Sequence, residues 1–183
     1  GSVPLSDKAA ILIAGYSRHS DGFRSDLLTG AKRDVSFNYD VRTKVRLQPS
    51  DKVDIILGAS YTTVSDPGGL NQTTLNGNSA GNNVPNPPPI ATDRRHVSLT
   101  YPVSVTTNNK QFDLHVNVDL GFATLSTISA LRYEKAVTDA DIDSSYTPSQ
   151  STVSPNYFDT HSEEITLSSS SGGNLDWTAG LYY

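Results

Sequence analysis

Neither cysteine nor methionine occurs in the 183 residues. The missing cysteine excludes disulfide frameworks, thiolate metal sites and cysteine nucleophiles. Basic blocks are missing too. The 14 lysines and arginines stand against 19 acidic residues, a net charge of −5, so no nucleic-acid partner is expected. No stretch approaches about 18 consecutive apolar residues, which excludes a transmembrane helix. Helical periodicity is absent as well; the best window, 123–135, is rich in Ser and Thr and reads as strand. There is no initiator methionine and no signal peptide, so the chain reads as mature or truncated, with Gly1-Ser2 either native or a cloning remnant. No GxSxG elbow supports a Ser-His-Asp triad, and the chain is read as no enzyme.

What the sequence does have is alternation. Across 35–48 the odd positions are Val35, Phe37, Tyr39, Val41, Thr43, Val45 and Leu47, and every even position is polar. A period of two over such a length marks a strand with one apolar and one wet face. Ordinary globular strands run about 5–6 residues. The pattern returns at 111–120, through Phe112, Leu114, Val116, Val118 and Leu120, and at 53–63. Weaker alternation covers 9–18, 124–137, 161–169 and 177–183. The reading is antiparallel β throughout, with strands near 8–19, 35–48, 53–64, 111–120, 124–137, 160–169 and 175–183.

The connections come in two kinds. Pro49-Ser50-Asp51-Lys52, the turn at Gly121-Phe122 and Ser171-Gly172-Gly173-Asn174 are short, and Pro4-Leu5-Ser6-Asp7 reads as a turn before the first strand. The links near 20–34, 64–109 and 138–158 are long, and such loops are uncommon inside compact soluble domains. Short and long alternate, so all short turns fall at one end of a meander. A transmembrane β-barrel is built this way, with short periplasmic turns and long extracellular loops. The segment 96–105 also alternates, but Pro102 demotes it, and it reads as part of the long link. Seven crossings remain. Counted from the short turns, Tyr16, Tyr39, Tyr61 and Tyr133 reach one height, with Phe122 and Trp177 at the other edge, as interfacial aromatic girdles would.

Several stretches are then familiar. Residues 122–132, FATLSTISALR, resemble the "FATLTSITAYR" strand of TonB-dependent outer-membrane receptors, preceded here by Asp119-Leu120-Gly121, the family's "DLG". Residues 162–168 resemble its "SQEFRLAS", and 174–183, NLDWTAGLYY, its "LDWVAGLYY". Residues 3–7 and 21–23 match "VPLSD" and "DGF". The resemblance runs in order over nearly the whole chain. It implies an outer-membrane receptor of a Gram-negative bacterium that imports a scarce ligand, such as a ferric siderophore, cobalamin or a carbohydrate. Energy would come through TonB acting on a plug and TonB box, neither of which is visible here. Members have about twenty-two strands, and seven cannot close a single-chain barrel. The chain is therefore expected to be part of a barrel domain over 1–183, an open sheet with two bare edges or one covered by a partner. Outer-membrane lipid and a small ligand are the expected partners, and no cofactor is implied. The alternatives are a soluble or surface β-sandwich binding or adhesin module, and an enzyme on a small barrel.

Candidate sites follow from this frame. Asp40, Arg42, Lys44 and Arg46 line the lumen, where they meet a plug's polar surface rather than steer an anionic ligand. Val35, Phe37, Tyr39, Val41, Val45 and Leu47 face lipid. Specificity is expected in 66–94 and 138–158, with Tyr146, Tyr157 and Phe158 available for stacking on a ligand. His19, His96, His115 and His161 lack ligand spacing and read as polar surface or lumen residues. Asp139, Asp141 and Asp143 alternate like Ca²⁺ ligands but lack the Gly and terminal Glu of an EF-hand loop; they read as an acidic loop, and no metal is expected.

Overall fold

A computed structural model of the chain describes residues 1–67, 75–77, 85–86, 89–148, 150–170 and 175–183. Its main body is one sheet of eight strands: β1 (Ser2–Ser6), β2 (Ala9–Ser20), β5 (Ser36–Ser50), β6 (Val53–Ser65), β8 (Ser104–Asp119), β9 (Ala123–Asp141), β10 (Ser151–Ser169) and β11 (Thr178–Tyr182). They follow one another in chain order, every neighbour antiparallel. The remaining strands, β3 (Arg24–Asp26), β4 (Lys32–Arg33) and β7 (His96–Val97), form a separate small sheet out of two of the long links. The sheet does not close: among the described residues, β1 and β11 have one neighbour each.

Two expectations need correcting. Pro4-Leu5-Ser6-Asp7 is not a turn; Ser2–Ser6 is an edge strand on β2, and the turn follows at Asp7-Lys8. Pro4 lacks an N–H, but an edge strand tolerates that, and the pairing slips between Pro4 and Ser6. The sheet thus has eight strands rather than seven crossings. The extra strand is not 96–105, which gives β7 to the small sheet and only its last two residues to β8. The third long link is shorter than its expected 138–158, because β9 and β10 stay paired from Ala123↔Ser169 out to Asp141↔Ser151.

The connections alternate between the two ends of the sheet, although the β10–β11 link, 170–177, is nearly as long as the β9–β10 link, 142–150. Asp51-Lys52 joins β5 to β6, with a register shift where Pro49 interrupts the ladder. At the β8–β9 turn Gly121 takes a φ of +87°, which a side chain disfavours, while the Asp119 carboxylate accepts its N–H at 2.7 Å. The β10–β11 link includes 171–174, outside the described residues. All three long links leave from the opposite end.

Among the described residues no second layer packs on the large sheet. Among the described residues only Ala91, Val97, Leu99, Val103 and Ala123 are buried hydrophobics, and the middle three form one cluster beside the small sheet. Val35, Phe37, Tyr39 and Val41 are exposed, and Val45 and Leu47 half-buried. Each exposed side chain forfeits part of the about 1.5–3 kcal/mol that full burial would give. The accessible surface is 11,707 Å² for 19.7 kDa, whereas a compact soluble monomer of that mass would expose about 8,600 Å².

Candidate functional site

Cross-strand register assigns every strand residue to a face, because directly paired residues point the same way. One face carries Ile13, Val41, Leu57, Phe112, Leu131 and Ile165. The other carries Asp40, Arg42, Lys44 and Arg46, and extends into Asp54, Asp113, His115, Arg132 and Glu134 on the following strands. Three of the four tyrosines expected in a girdle stand on the apolar face: Tyr61 and Tyr133 share a row through Lys110, and Tyr39 lies one row further out. Tyr16 pairs with Asp40 and stands on the polar face instead. Residues 9–14 are all apolar, so their sequence cannot say which side is which.

The polar face carries several separate polar clusters. Thr62 Oγ1 donates to Asp40 at 2.7 Å, and Arg42 reaches the same carboxylate at 3.2 Å. Arg46 Nε donates to Asp54 at 2.6 Å. Lys44 pairs with Gly58 across the strands. A Cβ at Gly58 would lie 2.3 Å from Asp113 Oδ2, so the missing side chain makes room for that carboxylate, with His115 3.2 Å away. Arg132 and Asn109 both reach Glu134. Ion pairs this exposed are worth about 0–1 kcal/mol each; their joint effect is a polar surface whose charges are mostly matched. The sequence singled out Asp40, Arg42, Lys44 and Arg46 as lumen-facing and read His115 as a polar surface or lumen residue. It missed Asp54, Asp113, Arg132 and Glu134, although their alternate positions in the same strands carried the signal.

The three residues expected to stack on a ligand are not brought together. Tyr157 is 66% exposed on the apolar face, opposite Lys135. Phe158, its neighbour, stands on the polar face opposite Glu134. Tyr146 lies in the 142–150 link. Phe158 lines a groove of about 270 Å³ on the polar face with Arg132, Glu134 and Thr160, the first two unforeseen.

The long links build a cap. Asp26, 2% exposed, accepts from the N–H groups of Leu28 (3.1 Å) and Thr29 (3.0 Å) and from Arg33 (2.8 Å). Burial pushes its carboxyl up, but these hydrogen bonds outweigh it and hold Asp26 below the usual carboxylate range. Arg24 and Asp34 pair through two 2.6 Å bonds, and the Asp34 hydrogen bond raises the guanidinium. Asp141 accepts the N–H groups of Thr100 (2.9 Å) and Tyr101 (3.1 Å), tying the second link to the third. Burial, with the Asp143 charge, raises its carboxyl despite those bonds. Asp139 takes the Ser104 hydroxyl, and Asp143 the Ser145 and Gln150 N–H groups, so the three aspartates have different hydrogen-bond partners. Each histidine has an acidic neighbour: Asp21, Asp93, Asp113 and Glu163 for His19, His96, His115 and His161.

No family model matches the chain, and no curated protein does. Among solved structures it is similar to the ferric yersiniabactin uptake receptor FyuA from Yersinia pestis, with a TM-score of 0.68 at 14% identity. The match covers 99% of this chain and 27% of that one, so the chain spans about a quarter of the receptor. At this identity the likeness is one of fold.

Proposed function

We propose that the chain is a section of the barrel wall of a TonB-dependent outer-membrane receptor for a scarce ligand such as a ferric siderophore, cobalamin or a carbohydrate. The observation that carries this reading is a single-layer meander whose apolar face nothing among the described residues covers, with every long link at one end. Water cannot account for such a face, whereas a bilayer can. An open sheet edge has no place in lipid, because each unpaired backbone group there costs several kcal/mol, so β1 and β11 pair with further strands in the membrane. The fold shared with an uptake receptor supports the same conclusion, and the order of the sequence motifs does so independently. The β-sandwich alternative would need a second sheet on the apolar face, and among the described residues there is none.

In this reading the short turns face the periplasm and the cap faces outward. Asp40, Arg42, Lys44 and Arg46 line the lumen against a plug, through which TonB would act. Ligand contact falls to Phe158, with Arg132 and Glu134 beside it, and to Tyr146 in the cap; Tyr157 points to the apolar side. The chain itself performs no chemistry and carries no cofactor.

The test is a deletion strain grown on single iron or carbon sources, with membrane fractionation of the wild type. The expected result is an outer-membrane protein whose loss abolishes uptake of one small ligand, restored by the gene. A protein found in the soluble fraction, or a deletion that affects the uptake of no ligand, would contradict the proposal.

A further inference from the structure

On the apolar face, the character of the surface changes row by row. The row through Tyr61, Lys110 and Tyr133 and the row beyond it, through Lys135 and Tyr157, line a groove of about 380 Å³. One step toward the short turns come Phe112 and Leu131, then Leu57 and Leu114, which line a second groove, also of about 380 Å³. Both lysines are exposed and neither has an ion-pair partner among the described residues. The Lys135 ammonium lies over the Tyr157 ring, 5.6 Å from its centroid. Asp159, which follows Tyr133 in the row of Lys110, also lines the upper groove, so the two lysines there face one carboxylate on the same face. At the far wall of the lower groove, Glu163 is satisfied internally, by Ser129 at 2.5 Å and His161 at 2.9 Å.

We infer that the two grooves together hold one anionic lipid of the outer leaflet. Its phosphate sits on Lys110 and Lys135 among the three tyrosines. Its acyl chains run down over Phe112, Leu131, Leu114 and Leu57. The inference rests on the reading of this face as membrane-facing. Two like charges at the rim of an apolar surface repel each other and attract an anion. Tyrosine rings belong at head-group depth. A soluble phosphate would gain nothing from the apolar groove below, whereas an amphiphile fills both.

The experiment uses the protein at its natural length, purified in detergent, with lipid A as the probe and retained lipid counted by native mass spectrometry. Heat-modifiable migration on gels reports barrel folding for each variant. The double substitution K110Q/K135Q is expected to fold normally and to lower lipid A affinity about tenfold or more, in keeping with two lysines beside an anionic head group. K32Q, a lysine of the cap, should bind as the wild type does. Dephosphorylated lipid A should bind weakly and be indifferent to the lysines. Unchanged affinity in the folded double variant overturns the inference, as does equal binding of the dephosphorylated lipid or full competition by inorganic phosphate. In each of those cases the receptor reading stands. A wild-type protein that shows no heat-modifiable barrel overturns both.

Discussion

The cap and the large sheet are built from the same chain by opposite rules. The cap is made like soluble protein. Leu99 and Val97 are 1% and 0% exposed, and the Arg33–Asp26 pair is withdrawn from water with side-chain exposures of 16% and 0%. The sheet has long ladders, mostly exposed apolar side chains on one face, with the His161–Glu163 pair among them, and solvent-reaching ion pairs on the other, such as Arg46–Asp54 at 53% and 24%. Cohesion in the cap comes from burial, and in the sheet from backbone pairing and from whatever lies against its two faces. A substitution should therefore have different consequences in the two regions even when the chemistry is similar.

The largest difference is expected from removing one partner of an ion pair. D26A leaves Arg33 half-buried without its carboxylate and frees the Leu28 and Thr29 amides, at a cost of about 3–5 kcal/mol to the local stability of the cap. D54A on the sheet should cost about 1 kcal/mol or less. Hydrogen exchange of the cap amides and of the β5–β6 ladder would measure both. Equal effects would erase the distinction.

Next in size is a charge placed on either face of one strand. F112R puts a cation on the apolar face and should destabilise the membrane-inserted protein by about 2–4 kcal/mol. Q111R, one residue away on the polar face, should cost little. Urea-driven unfolding from vesicles would separate them.

The smallest effect is one of pH, within the cap. Asp26 has a depressed carboxyl, so its stabilisation is complete above the ordinary carboxylate pKa of about 3.9 and is lost as pH falls through its lower folded value. Asp141 is raised, so its ionisation costs stability above its folded value, and that cost is relieved as pH falls through it. On acidification the cap should gain stability first, as Asp141 protonates, and the Leu28 and Thr29 amides should lose protection later, as Asp26 protonates. The reverse order in exchange experiments would contradict these assignments.

The same contrast explains what could be read in the sequence. The sheet was legible because one uncovered apolar face imposes a strict period of two, and 35–48 shows it without exception. Strand β1 was not, because five residues containing Pro4 carry too little pattern. Tyr16 was counted with the other three tyrosines by height alone, and its face could not be read because residues 9–14 are apolar on both sides. The cap was invisible for another reason. Asp26 with Arg33, Arg24 with Asp34 and Asp141 with Thr100 are partners set by tertiary packing between irregular links, and no periodicity announces them. Of the ligand residues, Phe158 and Tyr157 looked alike as neighbouring aromatics, and only the register puts them on opposite sides.

The central claim is that one face of the large sheet lies against lipid. The absence of cysteine makes its most direct test simple, since single cysteines along 111–116 can each carry a nitroxide label in the vesicle-inserted protein. The account predicts that labels at 112, 114 and 116 are accessible to oxygen dissolved in the bilayer and shielded from a water-soluble relaxation agent, with 111, 113 and 115 showing no such lipid contact. Labels that do not alternate, or that are shielded from both reagents at 112, 114 and 116, would contradict it.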